Sequence, residues 1–272
     1  MSQTPWASPF LRWAGSKRAL LPELMTRAPQ GFDRYVEPFA GSACLFFALR
    51  PRRAIIGDLN ADLIQAYREV CVHPRRVARH VHEWGGDPTT YYRVRGFNPA
   101  ELPDIERAAR FVYLNRHCFN GVYRTNRQNH FNVPIGRRAG RVPPASHFYR
   151  CSVALRDAHL CSEDFSNLID DARPGDFFYL DPPYSRAKGG AYGVYGYGSF
   201  DDRALDRLIV GLEAIQRAGA HFLLSYTDDE RLQGLDERWR VSVVSVRAQV
   251  AGRAEERRER REVLVDNYSS AP

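Results

Sequence analysis

Residues 176–184 read DFFYLDPPY, and the two consecutive prolines at the end restrict the fold more than any other feature of the chain. A short apolar run of this kind is a strand buried on both faces of a sheet. Pro182 and Pro183 lack a backbone donor and fix φ, so the strand has to stop at Asp181. Asp181 and the carbonyl of Pro182 then project from the strand's carboxyl end as two acceptors, with the flat ring of Tyr184 close by. Two acceptors beside an aromatic face suit a planar base that carries an amino group.

The same rhythm recurs along the chain: a short apolar run, an acidic or small residue, then helical patterning. Strands are predicted at Tyr35–Phe39, Ala54–Asp58, Ala158–Cys161, Asp176–Asp181, His221–Ser225 and Val241–Val246. Helices are predicted through Leu49, from Ala61 to Val70 and from Asp201 to Ala218. This alternation implies an α/β fold with a mostly parallel sheet covered on both faces. A last run, Glu262–Tyr268, follows its predecessor closely and predicts an antiparallel closing hairpin. The stretch from Pro74 to Ser152 breaks the pattern. It holds two helical segments, His73–Trp84 and Ile105–His117, and then FNGVYRTNRQNHFNVPIG, where Asn120-Gly121 signals a turn leading into a polar hairpin or loop. Residues 1–72 and 153–272 are therefore expected to form one domain and residues 73–152 an inserted module. Gly189–Gly198 (GGAYGVYGYG) falls at the carboxyl edge of the sheet, where a lid over a ligand is expected.

Charge sharpens this division. The 272 residues carry a net charge of +7, and the window from Ile105 to Arg141 contains eight arginines against one acid, Glu106, which equals the whole excess. Basic charge concentrated in one module points to nucleic acid. Five cysteines without a C-x-x-C pair disfavour a disulfide framework and a structural zinc site. The longest apolar run, Ala43–Leu49, is far too short to span a bilayer, and the N-terminal stretch has no charged start followed by an apolar segment. A cytoplasmic protein without membrane or metal is expected.

Three further segments carry ligand chemistry. They are FLRWAGSK (Phe10–Lys17), EPFAGSA (Glu37–Ala43) and GDLN (Gly57–Asn60), in the order a nucleoside cofactor requires. A glycine-bearing turn after the first strand lets backbone approach the ligand, and Asp58, 17 residues after Gly41, closes the second strand where ribose hydroxyls bind. Phe39 and Ala43 crowd the approach that a dinucleotide pyrophosphate needs, which disfavours NAD.

With these motifs in this order the chain resembles the Dam-type, SAM-dependent DNA adenine (N6) methyltransferases. The matching segments run from about residue 10 to 268 and include YVEPFAGSA, GDLNADLI, YLNRHCFNGVYRTNRQNHFNVPIGR, FFYLDPPY, HFLLSYTD and EVLVDNY. The resemblance implies a Rossmann-like methyltransferase sheet with an inserted, mainly helical target-recognition module and hairpin. It implies S-adenosylmethionine (SAM) as cofactor, held by Trp13, Lys17, Glu37, Phe39, Gly41, Asp58, Asp164, Phe165 and Asp181. Within this set Trp13 and Lys17 meet the methionine end, Asp58 the ribose, and Asp164-Phe165 the adenine. The catalytic set is Asp181, Pro182, Pro183 and Tyr184. Duplex DNA would face Arg12, Phe119, Asn120, Val122, Arg124, Asn126, Arg137 and Arg138, with Arg124 reading guanine and Phe119 or Val122 wedged into the stack vacated by a flipped base. The hairpin looks most like those that read GATC, and a cognate restriction or replication system is the expected context. Competing readings are SAM-dependent methylation of cytosine, RNA or a protein amide, and a catalytically silent DNA-binding module.

Departures from the family pattern are local. Ala43 stands where glycine is common, and Tyr226 stands where asparagine is common. The charge-dense stretch Gly252–Glu262, with five arginines and four acids, reads as a solvated loop.

Overall fold

The computed structural model describes residues 7–126, 128, 130–137, 141–184, 200–247 and 259–268. Helix α1 (Leu21–Arg27) leads into β1 (Arg34–Glu37), α2 (Cys44–Leu49), β2 (Ala54–Gly57) and α3 (Ala61–Val72). The helices α4 (Pro74–Glu83), α5 (Pro88–Gly96), α6 (Asp104–His117) and α7 (Ala145–Leu155) follow. The chain then returns through β3 (Ala158–Cys161), α8 (Phe165–Asp170), β4 (Asp176–Leu180), α9 (Asp202–Arg217), β5 (His221–Thr227) and α10 (Glu230–Gln233), and closes with β6 (Arg240–Arg247) and β7 (Glu259–Asp266).

The strands form one seven-stranded sheet in the order β3-β2-β1-β4-β5-β7-β6, the arrangement of a Rossmann-like methyltransferase. The first five are parallel, and β7 inserts antiparallel between β5 and β6. Alternate residues of each central strand enter opposite cores, as the period of two demands. Tyr35, Phe177, Tyr179, Leu223 and Leu264 pack on the side of α1 to α7, while Val36, Phe178, Leu180, Phe222, Leu224, Val263 and Val265 pack against α8 and α9. Helices α4 to α7 share the first of these cores. Val77, Tyr91, Phe111 and Phe148 continue the cluster that contains Tyr35 and Tyr67.

Strand order reverses between β1 and β4, which lie side by side at the centre. The segments after their carboxyl ends diverge to opposite halves of the sheet and open a crevice there. At the opposite edge Arg34 forks onto both oxygens of Asp176 (2.9 and 2.6 Å), locking the starts of these two strands together.

Several boundaries differ from expectation. The last strand begins at Glu259 rather than Glu262, so the end of the supposed solvated loop is paired sheet. Glu262 is flanked by Thr227 on one side and Val244 on the other, and its side chain is 3% exposed. Charge density misled here because the backbone pairing of β6 and β7 runs on past the apolar core. The expected lid at Gly189–Gly198 lies outside the described residues, as do Arg138 and most of the stretch from Gly252 onward. Helix α5 follows a pattern that the apolar periodicity of Tyr91–Arg95 conceals. Its start is marked instead by Asp87, whose side chain accepts from Thr90 N (2.9 Å), and by Pro88 in the first turn.

Ala43 is the N-cap of α2 and adopts the left-handed conformation (φ 51°, ψ 44°) with its methyl buried. That conformation costs a non-glycine residue about 1–2 kcal/mol. Glycine would relieve the strain but lose a buried methyl (~0.8 kcal/mol) and add chain entropy (~0.5–1 kcal/mol). These terms nearly cancel. Thermal unfolding should therefore show Ala43→Gly within about 1 kcal/mol of the parent chain, whereas Ala43→Val, with a β-branched side chain at positive φ, should lose ~2–3 kcal/mol.

Candidate active site

The crevice is built where three chain-distant segments meet on one ammonium group. Lys17 opens a short 3-10 turn (Lys17–Ala19), and its side chain is 6% exposed. Its Nζ donates to Asp181 Oδ1 (2.5 Å), to the Tyr184 hydroxyl (2.8 Å) and to the Gly15 carbonyl (3.3 Å), and lies 3.8 Å from Glu262 Oε2. The Tyr184 hydroxyl in turn donates to Glu262, whose two oxygens stand 2.8 and 3.0 Å away. On the other side Ser225 Oγ donates to the same Asp181 Oδ1 (3.4 Å) and is itself braced by the Tyr179 hydroxyl (3.0 Å). Both Lys17 and Ser225 thus address Oδ1. Among the described residues Oδ2 carries no hydrogen bond.

These contacts set the charges. Burial raises the Asp181 carboxyl to about 6, against the opposing pull of Lys17, while Glu262 adds to the rise. Burial alone would discharge Lys17, but Asp181, Tyr184 and Glu262 hold its ammonium above the ordinary lysine range. Burial also lifts the Tyr184 phenol, so it remains a proton donor. At the end of β1, Glu37 is 2% exposed and accepts from the Tyr35 hydroxyl (2.9 Å), and burial raises its carboxyl well above the usual range. Asp58 accepts from the backbone amides of Gly41 (3.1 Å) and Asn60 (2.9 Å), one on each oxygen, and burial lifts it to about 6. It fastens the turn after β1 to the end of β2.

The remaining sequence-derived residues fall into two groups. Trp13 lies over Gly41, where any side chain would strike the indole (2.7 Å to Cδ1), and it stacks with Phe111 and Tyr123 of the inserted module. Phe39 packs on Phe165 (5.2 Å between centroids) and Phe200 (5.8 Å). Asp164 caps α8 through Ser166 N and pairs with Arg207, whose guanidinium also covers the Phe165 ring at 4.7 Å. One arginine therefore engages both members of that pair.

The hairpin residues lie apart, around α6 and the segment after it. Antiparallel bridges pair Cys118 with Ile135 and Thr125 with Phe131. The Asn120-Gly121 turn sits at the base of this hairpin, not at its tip, and Gly121 (φ 65°) has no room for a side chain because Arg12 Cβ would lie 2.8 Å away. Asn126 Oδ1 accepts from Gln128 N and His130 N, which shapes the tip. Arg124 Nε donates to Asn132 Oδ1 (2.8 Å). Phe119 is 48% exposed, whereas Val122 packs on the core. Arg137 is exposed. Two arginines of the basic window are not available to a polyanion as expected: Arg110 is buried with its guanidinium on the Val94 and Arg95 carbonyls, and Arg107 pairs with Asp104. Residue type and position along the chain do not reveal which face of α6 an arginine occupies.

Sequence reasoning missed Glu262, Ser225 and Arg116. The first was hidden in a charged run and the second in an apolar strand. Burial pulls Arg116 down to about 10, and the neighbouring Arg12 and Arg18 lower it further, which marks a cationic cluster beside the hairpin.

An acid, a lysine and a tyrosine thus meet at the carboxyl edge of the sheet, and the comparison with known proteins defines the class. The profile of the D12 class N6 adenine-specific DNA methyltransferases matches residues 13–251, and the chain belongs to this family. Among curated proteins it is similar to the type II methyltransferase M1.LlaDCHI of Lactococcus lactis subsp. cremoris, with 29% identity covering 96% of each chain. It is also similar to the DNA adenine methylase of Escherichia coli (strain K12), with 30% identity over 94% of this chain and 93% of the other, and to the retron Ec67 DNA adenine methylase of Escherichia coli, with 30% identity over 84% and 80%. The protein is an adenine-specific DNA methyltransferase. Cytosine, RNA and protein acceptors, and a silent binding module, give way to that assignment.

Asp181 can take a proton only as the carboxylate, and Asp58 holds its two amides best in the same form. Both titrate near 6. The acid limb of kcat/KM for DNA methylation, which reports the free enzyme, should therefore fall below about pH 6 with more than one proton involved. A profile flat to pH 4.5 would contradict this.

Proposed function

We propose that the protein transfers a methyl group from SAM to the exocyclic nitrogen of an adenine flipped out of duplex DNA, with GATC as the recognition sequence. The observation that carries this reading is the buried charge balance at Asp181. One ammonium, Lys17, faces two carboxylates, Asp181 and Glu262, so the described site holds one excess negative charge. SAM is a cation overall, with a sulfonium and an ammonium against one carboxylate, and this donor set fits it. The bound cofactor supplies an electrophilic methyl on sulfur. For Lys17 to receive the cofactor carboxylate, one present partner must give way, and the Gly15 carbonyl at 3.3 Å is the weakest.

The chain's own residues then act on the amine. The exocyclic nitrogen of adenine is a poor nucleophile because its lone pair delocalises into the ring. Asp181 Oδ2 and the Pro182 carbonyl accept its two hydrogens, which favours a pyramidal nitrogen with the lone pair directed at the methyl. Tyr184, edge-on to Tyr226 (5.4 Å, 81°), offers a ring face to the base. Holding these groups in place and stabilising the positive charge that develops on nitrogen are the main contributions.

For DNA, the exposed ring of Phe119 favours it over Val122 as the wedge, and Asn132 orients the Arg124 guanidinium toward a guanine. Arg12, Arg18 and Arg116 are suited to a phosphate, whose charge would relieve their mutual repulsion. Asn120, Asn126, Arg137 and Arg138 complete the proposed DNA set, within a recognition module spanning residues 73–152. Relatives named as type II methyltransferases and as DNA adenine methylases support either a restriction partner or a solitary role in DNA marking.

Expression in a host without adenine methylation, followed by sequencing that detects modified bases, tests this reading. N6-methyladenine at GATC is expected from the parent chain, and Asp181→Ala should lower methyl transfer by ~10²–10³-fold or more while sparing DNA affinity. An active Asp181→Ala enzyme would overturn it.

A further inference from the structure

Glu262 lies beyond the residues that the family profile matches, and although it opens the segment EVLVDNY, the sequence gives it no role at the site. It is nonetheless a deeply buried carboxylate (3% exposed) beside Lys17 and Tyr184, on a strand whose next three residues, Val263, Leu264 and Val265, are all core. Burying a charge costs several kcal/mol unless it is paired and hydrogen-bonded. Lys17 cannot fully neutralise it, because its closest ion pair is with Asp181 at 2.5 Å against 3.8 Å for Glu262. Tyr184 closes the gap. Its hydroxyl accepts from Lys17 and donates to Glu262, so both hydrogen-bonding roles of the phenol are occupied and the ring orientation is fixed.

We propose that Glu262 is a positioning residue for methyl transfer, acting through Tyr184 and Lys17 to hold the aromatic face and the Asp181 carboxylate in register for the adenine amine. The chain of contacts runs from the last strand to the reacting group: Glu262 to Tyr184, Tyr184 to Lys17, Lys17 to Asp181 Oδ1, with Oδ2 left toward the amine. Groups on every neighbouring element contribute to the field at Asp181. They are Lys17 from the N-terminal segment, Glu37 on β1, Tyr179 on β4, Ser225 on β5, Glu262 on β7, and Tyr184. Of these, Glu262 is a like charge whose loss favours the ionised form of Asp181.

The test is steady-state methylation of an adenine-containing duplex with methyl-labelled SAM, comparing the parent chain with Glu262→Gln, Tyr184→Phe and the double variant. It rests on the SAM reading above, and a parent chain inactive with SAM would fault that reading instead. Glu262→Gln should lower kcat at least tenfold, leave KM for DNA within about twofold, and move the acid limb of kcat/KM to lower pH. Added to Tyr184→Phe it should change kcat by less than about twofold, because the path is already broken. A parental kcat and acid limb in Glu262→Gln, or fully multiplicative effects in the double variant, would overturn the proposal. Should Glu262→Gln not fold, Glu262→Asp takes its place. It keeps the charge and shortens the reach, so a lowered kcat with an unmoved acid limb supports the proposal and a parental kcat overturns it.

Discussion

The ion pair between Lys17 and Asp181 is the interaction on which the site depends. Three acceptors, Gly15 O, Asp181 Oδ1 and the Tyr184 hydroxyl, converge on one point. A compact ammonium with three rotatable donors meets that geometry, and the planar fork of arginine does not. The chain uses lysine at only two of its 39 basic positions, and one of them is here. A buried carboxylate left without its partner costs ~3–5 kcal/mol, so the pairing holds Asp181 in place before any ligand arrives. Segments 164 residues apart are joined by this contact.

The same N-terminal segment is gripped on its other side by the inserted module. Asn115 on α6 accepts from Arg12 N (2.8 Å) and donates to Arg12 O, while Gly121 lets the base of the hairpin close onto Arg12. Trp13 then stacks with Phe111 and Tyr123 on one side and covers Gly41 on the other. Only Ala14, Gly15 and Ser16 separate this clamp from Lys17. The surface proposed to read DNA and the carboxylate proposed to act on the base therefore hold opposite ends of one short segment.

Much of this was legible in the sequence. The prolines after Asp181 marked the end of β4, and the alternation of apolar runs with helical stretches predicted a mostly parallel sheet; its strand order, with the reversal between β1 and β4, came only from the structure. Asp181, Lys17 and Tyr184, each in a quoted motif, are brought together by the structure. The place of Glu262 beside them was not legible, since its partners are 78 and 245 residues away and it ends a charged run. Nor could spacing tell that Arg110 is buried on α6 while Arg116 joins Arg12 in a cationic cluster. Those distinctions depend on tertiary packing.

A double-mutant cycle on thermal stability tests the central contact most directly, with Lys17→Met, Asp181→Asn and the pair measured in the absence of ligand. Lys17→Met should cost ~3–5 kcal/mol, because it strands a buried carboxylate. The double variant should recover at least ~2 kcal/mol of that loss. Effects that add to within ~0.5 kcal/mol would show that the two side chains do not hold the site together.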